Sequence, residues 1–133
     1  MAASTAQPLA RLHAAVTSGF TERVELVLRN RPELESAWRT LHDGIPGNPA
    51  PAIDLSTRMV VLVALGPRNT GGHTVRVDSM TSNGSTATVH YTATSPGPGC
   101  MTAQMLTSPV DMVSVPRLDG AVRFDRRDVV AQC

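Results

Sequence analysis

Between His73 and Ala93 the apolar residues of this chain recur at every second position in two runs, and that period constrains the fold more than any other feature. Side chains of a strand alternate between its two faces, so a period of two marks strands with one face in a core. His73, Val75 and Val77 alternate with Thr74, Arg76 and Asp78 in a strand expected over 73–81. Ala87, Val89, Tyr91 and Ala93 alternate with Thr88, His90 and Thr92 over 85–94. Met59 to Leu65 is apolar on both faces, as a central, covered strand is. Further strands are expected at 110–116 and 121–126, joined by Arg117-Leu118-Asp119-Gly120, and one earlier strand over 21–29 through Val24, Leu26 and Leu28.

Only one stretch follows the helical period. Pro32 suits the first turn, Glu33 and Glu35 favour a helix start, and Leu34, Ala37, Trp38 and Leu41 fall on one stripe. The helix is expected to run to about His42, with a His42-Asp43 capping role and Asp43-Gly44 as its stop, and to cover one open end or face with Trp38 as its anchor. A Pro/Gly loop follows at 44–52. Residues 1–20 show no convincing period and read as a loosely ordered N-terminal arm, with 21–133 as a single β domain. The fold class is mainly β (α+β): an antiparallel β-sandwich or small barrel of six or more strands with one packed helix.

Parity sets the hairpin between 73–81 and 85–94. A two-residue Asn83-Gly84 turn would pair Val77 with His90, a core residue beside an outward one. A three-residue loop, Ser82-Asn83-Gly84, pairs Val77 with Val89 and Val75 with Tyr91, with Gly84 in a left-handed bulge position. Asn83-Gly84-Ser85 also matches a glycosylation sequon and is read here as a turn.

Two connections are longer than such a sheet needs: GPRNTGGH, with its loop at 66–72, and SPGPGCMTAQMLTSP at 95–109. If 59–65 runs upward, 73–81 descends and 85–94 climbs, so both loops emerge at the top. They either form a contact surface or merely cap the core. Continuing the count, 110–116 descends and 121–126 climbs, which brings Cys133 near Cys100. A disulfide there is expected and would point to an exported protein; two free thiols in a cytosolic protein are the alternative. Met101, Met105 and Leu106 in the second loop suit either a binding surface or inward packing over the sheet end.

The remaining composition limits the chemistry. Charge is nearly balanced at +1, and all twelve basic residues are Arg, spread along the chain. No broad basic field exists for nucleic acid, and the absence of Lys excludes lysine Schiff-base chemistry. No run is long enough for a membrane helix, and Arg11 and His13 interrupt the place where a signal peptide would be apolar. There is no G-x-S-x-G elbow, and His73 and His90 are expected on opposite faces, so no cofactor or metal is expected. Cys100 with His73 is the one couple with catalytic potential, and a disulfide to Cys133 would remove its nucleophile. The chain is therefore expected to be no enzyme.

On these residues the chain resembles the C-terminal domain of the PrcB family, the protease complex subunit. The stretches that carry the resemblance are ALGPRNTGGHTVRV at 64–77 and SPGPGCMTAQMLTSPVDMVSVP at 95–116, with Trp38 and Ile53-Asp54-Leu55 beside them; it spans about 22–117. Thr70, Gly71, Gly72, Pro96, Pro98, Gly99, Thr107 and Pro109 fall on the family's motif, whereas His73 stands where the family usually has Tyr. The resemblance implies an exported or cell-envelope protein that binds or assists a bacterial surface protease. With Arg68, Asn69, His73 and Met101, the motif residues make up the expected partner-binding set. No lipobox is visible. GPRNTGGH is also distantly similar to the inhibitory loop of chagasin-type protease inhibitors, which makes inhibition an alternative mode of action.

Overall fold

The computed structural model describes residues 4–45 and 47–133. Within them lie, in chain order, β1 (Thr5–Ala6), β2 (Ala10–Ala15), β3 (Val24–Leu28), α1 (Arg31–Leu41), β4 (Arg58–Ala64), β5 (Thr74–Ser82), β6 (Ala87–Pro96), β7 (Val110–Pro116) and β8 (Val122–Ala131). They form two four-stranded sheets, β1-β5-β6-β8 and β2-β7-β4-β3, stacked as a sandwich rather than closed as a barrel.

The alternation in the sequence is the reason for two sheets. Val75, Val77 and Met80 from β5 and Ala87, Val89, Tyr91 and Ala93 from β6 meet Met59, Val61, Val63, Val113 and Val115 from β4 and β7 in the central core. The other face of β4 and β7, through Val60, Leu62, Ala64, Val110 and Met112, takes Leu34, Ala37 and Leu41 of α1. β4 is thus covered on both sides, as its unbroken apolar run requires.

The helix starts where expected because three groups cap it. The Asn30 side chain accepts from Glu33 N–H at 2.9 Å, the Glu33 carboxylate accepts from Arg29 N–H at 3.0 Å, and Pro32 occupies the first turn. Its anchor differs from the one expected. Leu34 is fully buried, while Trp38 lies half-buried at the margin, its Nε1 donating to Asn48 O at 2.9 Å. The helix covers a sheet face.

Three further expectations are corrected. Where a loosely ordered arm is expected over 1–20, the described part from residue 4 carries two paired strands: β2 pairs with β7 over Ala10–Ala15, and β1 pairs with β5 at Thr5 and Ala6. A bulge between Arg11 and His13 hides the period, because Arg11 turns into the sandwich while Leu12 packs under the helix. The sheets are not wholly antiparallel, since β6 and β8 run parallel. The chain leaves β7 in one sheet and climbs back in the other, beside a strand that also climbs. Finally, the hairpin turns over Asn83–Thr86, with Ser82 opposite Ala87, and a second bulge lies between Val77 and Ser79. Val77 therefore faces Tyr91 and Val75 faces Ala93, an offset of two residues from the expected pairing. Above the bulge the offset is even, so Val75 and Val77 stay on the core face with Tyr91 and Ala93; below it the bulge brings Met80 to the core face opposite Val89. Gly84 has φ +91°, the left-handed backbone assigned to it.

Polar clasps close both sides of the sandwich. On one side, Asp111 of β7, fully buried, accepts from Arg11 Nε and Nη2 at 2.8 Å each and from Val77 N–H of the opposite sheet at 2.7 Å. Arg11 Nη2 also donates to Val77 O at 2.9 Å. On the other side, Tyr91 of β6 donates to the Glu25 carboxylate of β3, and burial followed by that carboxylate raises the phenol pKa. Outside, His13 of β2 meets the Trp38 and His42 rings, each with a centroid 5.6 Å away.

Two outcomes are expected. Arg11→Ala strands the Asp111 carboxylate without a counter-charge and should cost about 3–5 kcal/mol in urea unfolding. The His13 pKa is lowered by burial and then by His42, so the folded state favours the neutral ring. Stability should therefore be full above the ordinary histidine pKa and fall as pH drops below it. His13→Gln should flatten that part of a thermal-melt pH profile.

Candidate protein-interaction site

The two long connections lie together at one end and are fastened to each other. Arg68 N–H donates to Thr107 O at 2.7 Å and Thr107 N–H to Arg68 O at 2.9 Å, a single antiparallel bridge between the loops. Gly71 N–H donates to Ala103 O at 2.9 Å, and the Thr107 hydroxyl donates to Thr70 O at 2.9 Å. Gly72 has φ +90°, and a Cβ there would stand 3.1 Å from Pro96 and Thr102, so close approach and backbone sign both call for glycine.

Cys100 and Cys133 are joined by a disulfide, with Cα atoms 5.0 Å apart, which ties the second loop to the chain end beyond β8. The strand count had placed them at one end, and it did so correctly because β8 climbs. The Cys100 sulfur is consequently no thiol, and the Cys100–His73 couple loses its nucleophile. His73 is half-buried just ahead of β5, where burial and then the charge of Arg68 lower its pKa. His90 stands on the outer face of the other strand, between the Thr81 hydroxyl at 3.2 Å and Asp125 at 3.0 Å.

The expected contact residues divide by exposure. Asn69, Gly72, Pro98, Gly99 and Met101 are exposed, and Arg68, Thr70, Gly71 and His73 are half-buried. Pro96 ends β6, paired with Ala131, rather than belonging to the loop. Thr107 and Pro109 are buried and are corrected out of any contact surface. Thr107 is the fastener between the loops, and the Pro109 carbonyl accepts from Leu65 N–H at 3.0 Å.

Met101 is fully exposed and Leu106 is 77% exposed, with Met105 beside them also open to solvent, so the loop carries apolar side chains outward. Sequence reasoning missed the third component of this end, the Thr17–Thr21 connection. Ser108 N–H donates to Val16 O at 2.9 Å, its hydroxyl donates to Phe20 O at 2.7 Å, and Ser18 Oγ donates to Ser108 O at 2.9 Å. A cavity of about 230 Å³ opens between this connection, Pro67 and Leu106. Its one sequence signal was a Ser/Thr/Gly cluster between strands, which the hidden period of β2 obscured.

Cys133→Ser removes a link spanning a separation of 33 residues. By loop-closure entropy it should cost about 3–4 kcal/mol. Comparing melts of the wild type and this variant checks the figure.

Among the described residues no helix is long and apolar enough to cross a membrane. No curated protein and no solved structure gave a match to the chain. Residues 59–116, which run from β4 through both fastened loops to the end of β7, match the family model described as PrcB C-terminal, and over that segment the chain is similar to this family.

Proposed function

We propose that this chain is a non-catalytic protein-interaction module that binds or assists an exported bacterial protease, or another subunit of its complex, through the loops at 66–72 and 95–109. The observation that carries the reading is the fastening of the two loops by Arg68, Gly71, Thr107 and the disulfide. A loop already ordered loses less entropy on binding, so the exposed Asn69, Met101 and Leu106 side chains are offered at low cost. Arg68 adds a fork of donors and Asn69 an amide. The PrcB C-terminal match supports a role within a protease complex, and the disulfide suits an oxidising compartment outside the cytosol.

The test is capture from the native envelope with tagged wild type, Arg68→Ala/Asn69→Ala and Met101→Ser/Leu106→Ser, each checked for an unchanged melt. Both double variants should recover the partner at least about tenfold less well, a loss of about 1.4 kcal/mol. Equal recovery by all three forms would sink the loop reading. Turnover of any captured protease then separates the two modes. A fall on adding this chain marks an inhibitor, and unchanged or raised turnover marks an assembly factor.

A further inference from the structure

β1 covers only the lower part of the β5 edge. Thr5 lies opposite Ser82 and Ala6 opposite Thr81, and Gln7 N–H donates to Met80 O at 2.8 Å. Pro8 follows, and the chain crosses to β2 in the other sheet. Above that point, among the described residues, no strand pairs with the edge of β5. The N–H and C=O of Val77 face this side, where Asp111 and Arg11 hold them. Backbone groups alternate along a strand, so the N–H and C=O of Val75 point the same way, away from β6. Among the described residues, no loop backbone and no side chain bonds them.

A groove of about 350 Å³ runs along this open edge between β5 and β2. Ala14, Ala15, Val16, Val75 and Val110 give it apolar walls, and Arg76 stands at its rim. Arg76 is exposed, and none of the ion pairs among the described residues includes it.

We propose that the upper edge of β5 accepts an extended segment of a partner protein as an added strand, with an acidic residue set against Arg76. Three features select this occupant. The same edge already holds a strand lower down, so its geometry admits one. The free N–H and C=O of Val75 ask for a backbone rather than a side chain. The walls are apolar while the rim carries an unmatched cation, which is the complement of a small or branched apolar residue beside Asp or Glu. Pairing ends at Val77, whose groups are taken, so the segment bonds across Thr74–Arg76 and the rest of it lies along Ala14, Ala15 and Val16. This surface is separate from the fastened loops and does not depend on their role.

The probe is a displayed library of random heptapeptides panned against the folded, disulfide-bonded protein, with selected peptides titrated into nitrogen-labelled protein. Selected peptides should be enriched in Asp or Glu, and the Val75 amide should shift and exchange more slowly on binding. Ala14→Arg, which fills the groove from an exposed position, should weaken binding by about tenfold or more. Arg76→Glu, a surface change that leaves the walls intact, should do the same for acidic peptides, whereas Arg68→Ala/Asn69→Ala should leave binding unchanged. Failure to select any peptide, shifts confined to 66–72 and 95–109, or affinity unchanged in both groove variants would overturn the proposal.

Discussion

The Asp111 carboxylate is the point on which the two sheets agree. It is fully buried, yet it serves a guanidinium from its own sheet and a backbone N–H from the other. A carboxylate in that position is tolerable only because every strong donor it meets is fixed by a strand. Arg11 returns the favour by bonding Val77 O, so the pair takes the place of a missing strand at that part of the β5 edge. Donating to the Asp111 carboxylate strengthens the hold of Arg11 on its proton against the opposing effect of burial. Two of the three participating strands, β2 and β5, are bulged beside the clasp, at Arg11–His13 and at Val77–Ser79. Each bulge turns a side chain that strict alternation would have faced the wrong way.

The rest of the molecule is arranged around that constraint. With one side fixed by Arg11 and Asp111, Tyr91 and Glu25 hold the opposite side. At the lower end Arg29 donates to Leu118 O and Gly120 O, and Arg117 donates to Arg29 O and Leu55 O. Arginine suits these positions because one planar head satisfies several carbonyls at once. The upper end shows no such arginine staple among the described residues. There the loops, the Thr17–Thr21 connection and the disulfide bind one another, and this is where side chains such as Met101 and Leu106 face solvent.

Much of this was legible in the residues themselves. Val75, Val77, Val89, Tyr91 and Ala93 announced their strands by alternation, and the doubly apolar β4 announced that it would be covered twice. Parity placed the core faces of Val75 and Val77 correctly even though the turn at Asn83–Thr86 was misjudged, because the bulge between Val77 and Ser79 makes the shift an even two residues above it. Counting strand direction brought Cys100 and Cys133 together. What failed failed for identifiable reasons. The bulge in β2 breaks the period that would have revealed it, and Trp38 was overrated because its size suggested an anchor while Leu34 took the centre of the helix face. Thr107 matched a motif and was read as surface, although its hydroxyl and backbone are spent inside the loop pair.

The sequence by itself determined the class of fold, the helix at 31–41, the core-facing side of the main strands and the end at which the two long loops gather. These depend on local periodicity and on the reversal of direction at each turn, and both are written residue by residue. Tertiary structure alone decided which sheet each strand joined, that β6 and β8 run parallel, and that Arg11 from the first twenty residues completes the site of Asp111. Those outcomes depend on partners far apart in the chain. A lone Arg or Asp carries no mark of its partner, and only the burial of the carboxylate makes the choice between them compulsory.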